Sequence, residues 1–212
     1  MTDLKCFLAG MTRLFSPLIM LVLWRKKTSA RLYPAFIAFA VCFPVFIMGG
    51  AIRSGFSHED FIIYYIQQGL LYGILEEGTK YLVMRYYLTS YRSRRDSVTY
   101  GIGHGAYEEL GAGLSCLGLI GTDRADPNIL WFNLWAAAEG TILVTALTVI
   151  IFYGITNRSR IILPSAIFIH AFSNAAAGIF IEPAAIIIRT VLTAVTGFAA
   201  YRCWQSMNIF DD

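Results

Sequence analysis

Apolar residues run in seven long blocks, at about 6–24, 32–52, 61–88, 98–121, 129–155, 161–181 and 184–204, and polar residues gather in the gaps between them. A helix needs about 20 apolar residues to cross a hydrocarbon core of roughly 30 Å, and these blocks are of that order. The pattern predicts an all-α, polytopic integral membrane protein, with about seven transmembrane helices in one bundle and a single domain over 1–212. The first block is the least regular, because Arg13 and Pro17 interrupt it. A signal peptide is the competing reading of that block. No small-residue cleavage site follows it, however; Arg25-Lys26-Lys27 follows, the flank of a stop-transfer segment. The second block holds Pro44 and Gly49-Gly50. The third, as one helix, would be about 42 Å long and must tilt or project beyond the core. Segment 90–96 reads as basic and polar, 122–128 as a short loop, Glu182-Pro183 as a tight turn and the tail as short and acidic.

Composition sharpens this picture. The chain is 57% hydrophobic and 15% charged, against about 25% charged in a soluble domain. Cys6, Cys42, Cys116 and Cys203 stand singly in apolar surroundings, with no spacing that suggests a zinc knuckle or a disulfide framework. They read as small hydrophobes. A net charge of +3 reports on topology rather than on a nucleic-acid surface, so no nucleic-acid partner is expected and the lipid bilayer is. One set of loops carries Arg25, Lys26, Lys27, Arg31, Arg92, Arg94, Arg95, Arg158 and Arg160, with Arg202 on the same side; the other carries Lys5, Arg53 and Arg124. Basic residues concentrate in cytoplasmic loops, which puts the N-terminus outside and the C-terminus in the cytoplasm. A prokaryotic cytoplasmic membrane is the expected location.

Against this apolar background, Leu75-Glu76-Glu77-Gly78-Thr79-Lys80-Tyr81 stands out. An ionisable side chain at mid-helix costs roughly 2.5–3.5 kcal/mol on insertion scales, so such a cluster reads first as a functional site. Glu76 and Lys80 are i,i+4 with the acid first, the favourable order for a helical ion pair; Glu77 competes at i,i+3. Lys80 neutralises one acid and leaves a carboxylate in excess. A packing salt bridge beside a protonated acid would explain the cluster without function; one oriented carboxylate acting as a base is the functional reading.

Two further polar groups share its depth. His104 and Glu108 are i,i+4 and lie on one helix face, with Gly101, Gly103 and Gly105 allowing close approach of a neighbour. His170 and Asn174 are again i,i+4. Glu77, His104, Glu108 and His170 fall about 11, 6, 10 and 9 residues from one set of helix ends, roughly 10–17 Å deep. Three helices with ionisable residues at one depth predict one site. A histidine with a carboxylate or amide on its face can bind a metal or polarise a carbonyl, and it can equally bridge two helices. Glu109 points about 100° from that face and reads as another group's partner. Glu139 and Arg189 read as structural, paired with each other or Arg189 with Glu182. His58 reads as a loop residue.

The three boxes Glu76-Glu77-x-x-Lys80, Tyr100-x-x-x-His104 and His170-x-x-x-Asn174 together resemble the CAAX-protease and bacteriocin-processing (CPBP, or Abi) superfamily. The string Gly-x-Gly-His-Gly-x-x-Glu at 101–108 is similar to the YhfC branch of intramembrane metalloproteases, and the Glu-Glu-x-x-Lys box is similar to PrsW-type proteases. Two details depart from the superfamily: the basic residue stands four after the first glutamate rather than five, and the aromatic is Tyr rather than Phe. The resemblance implies an intramembrane endopeptidase with its catalytic core at approximately 61–181. Glu76 and Glu77 would activate water. His104, His170 and Asn174 would polarise the scissile carbonyl, with Lys80, Tyr100 and Glu108 in support. The substrate would be a membrane protein or a lipidated peptide. Zinc is a possible cofactor, and His104, His170 and Glu108 its expected ligands; the metal-free alternative is a glutamic protease. Two other classes fit intramembrane acids and histidines: a non-catalytic scaffold or immunity protein, and an ion- or proton-coupled carrier. The chain's small size and lack of paired repeats with broken helices weigh against the carrier.

Overall fold

Every apolar block folds as a helix. The computed structural model describes residues 2–122 and 128–207; Arg124 and the acidic tail lie outside the described residues. The helices are α1 (Thr2–Thr28), α2 (Tyr33–Arg53), α3 (Phe61–Leu82), α4 (Arg94–Leu117), α5 (Ile129–Thr156), α6 (Ile162–Ile179) and α7 (Ala184–Ser206). No strand occurs among the described residues. Five helices, α1, α2, α5, α6 and α7, are long and apolar enough to cross a membrane. The other two, α3 and α4, carry the acids, the lysine and the histidine that lower their hydropathy. The glutamates and the lysine of the acidic cluster thus sit on a helix that resembles a membrane span less than its neighbours do, and the protein is an integral membrane protein whose polar residues are packed among apolar helices.

Two boundaries differ from expectation. The third block does not stay α-helical to residue 88: α3 ends at Leu82 and a π-helical turn, Val83–Tyr87, continues it. The fourth helix starts at Arg94, inside the segment expected to be loop. Ser93 accepts from the Asp96 backbone N–H while Asp96 accepts from the Ser93 N–H. That reciprocal cap satisfies two orphan donors and sets the start of α4. Arg31 pairs with Asp96 from the α1–α2 connection.

The central helix is α5. Two-thirds (67%) of its most apolar window is buried, against 22–33% for the other four apolar helices. Leu147, Ile151 and Phe152 of α5 form the core with Met84, Leu88, Tyr100 and Ala166. The arginine that disturbed the first block is buried and paired. Arg13 Nη1 donates to Glu109 Oε2 at 2.7 Å, and Arg13 Nε donates to Asn133 Oδ1 at 2.5 Å. Glu109 is therefore the partner of a distant cation, as its angle on α4 predicted. Glu139 likewise accepts from Arg189 and from Thr193, so the pair expected on α5 and α7 forms. Both pairs relieve the cost of charge among apolar helices.

Small residues bring the site helices together. Gly69 and Gly73 of α3 lie directly against the backbone of α6; a Cβ at Gly73 would stand 2.8 Å from the Ile167 carbonyl oxygen. The α4 glycines serve two faces, not one: Gly101 and Gly105 meet Thr145 and Thr141 of α5, while Gly103 meets the Ala35 backbone of α2. Gly73→Leu is expected to push α6 from α3 and cost about 1–3 kcal/mol, the usual penalty of overpacking. Thermal unfolding of the detergent-solubilised protein measures it, and an unchanged midpoint would show that the α3–α6 contact is looser than this.

Candidate active site

Close packing of α3 on α6 sets Glu77 against His170, and α4, packed on α2 and α5, reaches across with His104 to Glu76. The two adjacent glutamates, one helix position apart, point to different surroundings. Glu77 is fully buried, and so is Lys80. Lys80 Nζ donates to Glu77 Oε1 at 2.6 Å, and His170 Nδ1 donates to the same oxygen at 2.6 Å. The lysine's partner is therefore Glu77, at i,i+3, and not the i,i+4 Glu76 favoured by helix geometry alone. The His170 contact decides this, because an oxygen shared by two donors on two helices holds Glu77 in place. Its other oxygen, Oε2, is buried with no hydrogen-bond partner among the described residues.

Glu76 faces a cavity of about 640 Å³ that is also lined by Cys42, Tyr72, His104, Tyr107, Glu108, His170 and Asn174. Its Oε2 lies 3.0 Å from His104 Nε2 and 3.6 Å from His170 Nε2. One carboxylate oxygen thus touches imidazoles from two other helices. Glu108 Oε1 is 3.2 Å from His104 Nε2 but makes no hydrogen bond with it, since that ring N–H is aimed at Glu76. Asn174, one turn beyond His170, lines the same cavity. Five of the expected residues, Glu76, His104, Glu108, His170 and Asn174, therefore meet at one place. Glu77 and Lys80 stand behind them. Tyr100 does not join them: it is 1% exposed and packs in the core around Leu147. Tyr107, two turns on, is the α4 tyrosine on the cavity wall.

Cys42 is a residue that sequence reasoning missed. Its Sγ lies 3.2 Å from His104 Nδ1, inside hydrogen-bonding distance, and it lines the cavity. A lone cysteine in an apolar block carries no signal for this. The α3 glycines were also missed, although their Gly-x-x-x-Gly spacing was a readable sign of close helix contact.

One ligand atom each from Glu76, Glu108 and His170 lies within 4.8 Å of the others. An imidazole nitrogen and two carboxylate oxygens form a donor set that divalent cations accept. The free acceptor position at Glu108 Oε1 adds to the fit. The trio differs from the expected His104, His170 and Glu108 in having Glu76 where His104 was expected; His104 instead bonds to Glu76 from the side.

A family model described as YhfC intramembrane metalloprotease matches residues 13–121, just over half of the chain. The match takes in Glu76, Glu77, Lys80, His104 and Glu108 and ends before His170 and Asn174, which the fold brings to the same cavity. No curated protein and no solved structure matches the chain.

Proposed function

Because this chain belongs to the YhfC intramembrane metalloprotease family, we propose that it is an endopeptidase that hydrolyses a peptide bond of a membrane-associated substrate at the cavity holding Glu76. The observation that carries this reading is the convergence of Glu76, His104, Glu108, His170 and Asn174, from three helices, on one cavity. The wider kinship with CPBP proteases rests on the three sequence boxes, and the cytoplasmic C-terminus rests on the Lys/Arg asymmetry.

Hydrolysis needs a base for water, donors for the developing oxyanion and a proton for the leaving nitrogen. Glu76 is the base: of the two adjacent acids, it is the one on the cavity wall. His104 Nε2–H, already donating to Glu76, passes a proton to the leaving nitrogen, and Glu76 returns the one taken from water. Cys42 fixes the opposite edge of the His104 ring. Glu77 is a positioning residue. It holds His170 Nδ1 and so turns Nε2 toward the cavity, while Lys80 balances its charge. The Asn174 amide, which lines the same cavity, would donate to the substrate carbonyl oxygen.

Glu76, Glu108 and His170 would hold a divalent cation, and zinc accepts both the imidazole nitrogen and the carboxylate oxygens that they offer. Such an ion, when bound, acts as a Lewis acid and lowers the pKa of water. The two oxygens of a carboxylate can serve separate partners, so ligation by Glu76 is compatible with its work as a base. Purified protein stripped of metal is expected to lose cleavage of a membrane-embedded reporter peptide and to regain it with zinc. Full activity in the stripped protein would defeat the metal-dependent route and leave a glutamic one.

A further inference from the structure

The cavity is much longer than the catalytic cluster. Its α3 wall is Tyr65, Gln68, Tyr72 and Glu76, and its α2 wall runs from Cys42 through Val45 and Phe46 to Arg53. Each wall runs eleven residue steps along its helix, about 16 Å at 1.5 Å per residue. The two helices are consecutive and joined by a short loop, so both walls end together, at the end of the bundle opposite Arg92 and Arg94. The groove thus starts at the reacting groups and stops at Arg53. Between these ends the lining is largely apolar and aromatic. Phe43, Phe46 and Leu114 line the groove and are also 61%, 58% and 56% exposed, so one side opens toward surrounding lipid.

Arg53 is the one lysine or arginine among the described lining residues. Its guanidinium makes no ion pair or side-chain hydrogen bond with any described residue. Arg13, Arg31 and Arg189, by contrast, each have a carboxylate partner. An arginine at the end of an apolar groove presents several fixed donors that match a carboxylate.

We infer that Arg53 is a specificity residue, which anchors a substrate carboxylate at the far end of the groove while the apolar stretch next to that carboxylate lies along Phe46, Tyr65 and Tyr72. The inference rests on the protease reading for its purpose but not for its test. A strand rises about 3.3 Å per residue, so about five extended residues separate the anchored carboxylate from the bond at Glu76. An unwound segment is also what cleavage requires, since a helix keeps its backbone amides hydrogen-bonded. The carboxylate can come from a chain terminus or from an acidic side chain.

The experiment uses full-length protein in detergent carrying Glu76→Gln, which removes turnover from a binding measurement. Three fluorescent peptides share one apolar sequence: one ends in a free carboxylate, one in an amide, and one in an amidated Asp. Fluorescence anisotropy gives their affinities. At least one carboxylate peptide is expected to bind about tenfold more tightly than the neutral amide, as one charge-assisted contact provides. Adding Arg53→Gln is expected to remove that advantage and leave the neutral peptide unchanged, whereas Arg53→Lys keeps most of it. Preference for the free acid alone identifies a chain terminus as the ligand; preference for the Asp peptide alone identifies an acidic side chain. Equal binding of all three, an advantage that survives Arg53→Gln, or no binding at all overturns the inference. Protein with Glu76 restored then separates the two readings. Selective binding without any cleavage would remove the protease reading and leave the carboxylate site standing.

Discussion

Glu76→Gln is expected to lower cleavage of a membrane-embedded peptide by about 10²–10⁴-fold, the range for loss of a positioned base. Glutamine keeps the size and one oxygen of the side chain, so His104 and His170 retain a neighbour, but the amide cannot take a proton from water. The thermal midpoint in detergent is expected to stay near that of the native chain. Glu76 is on the cavity wall and is not the partner of Lys80. The paired readout matters because it separates a protease from a scaffold. A protease loses cleavage and keeps its fold. A scaffold or immunity protein of this architecture keeps its biological effect through the substitution. Wild-type cleavage by Glu76→Gln protein would remove Glu76 from the mechanism and the proposed site with it.

Lys80→Met is expected to act in the opposite way, on the fold first. Lys80 and Glu77 are both fully buried, and their contact is 2.6 Å. Removing one member of such a pair strands the other charge and costs about 3–5 kcal/mol. For a chain of this size that is a fall of roughly 10 °C in thermal midpoint. The double variant Lys80→Met with Glu77→Gln is expected to recover much of the loss, because no unpaired charge remains; the cycle isolates the coupling. Its cleavage should stay low, since His170 Nδ1 has then lost its carboxylate acceptor. A Lys80→Met protein as stable as the native chain would show that the pair does not support the bundle.

The two experiments together assign different work to residues that stand side by side in the sequence. One glutamate reaches the substrate space; the other holds a histidine and balances a lysine. Such a division is the general behaviour of polar groups in a low-dielectric interior, where each must find partners or open water.

Sequence alone determined the helices and their number, because runs of about 20 apolar residues have one stable solution in hydrocarbon. It also gave an expectation of one depth for the site. Depth follows from counting residues along rigid helices, so Glu77, His104, Glu108 and His170 could be put at one level before any packing was known. Even some pairing was legible: Glu139 and Arg189 were charges with few other candidates, and Glu109 was turned away from His104 by helix geometry alone. What only the tertiary structure decided was rotation and neighbourhood. The rotation of α3, fixed by Gly69 and Gly73 against α6, sends Glu77 into the core and Glu76 to the cavity. Lys80 then follows Glu77, against the local i,i+4 preference, because His170 reaches the same oxygen from another helix. Tyr100 went to the core, and Cys42 and Arg53 to the cavity, by the same cause. Apolar periodicity in a membrane span is weak, since lipid and protein interior are both apolar and little in the sequence says which face meets which. Backbone contact at small residues settles that, and it is a property of pairs of helices rather than of either one.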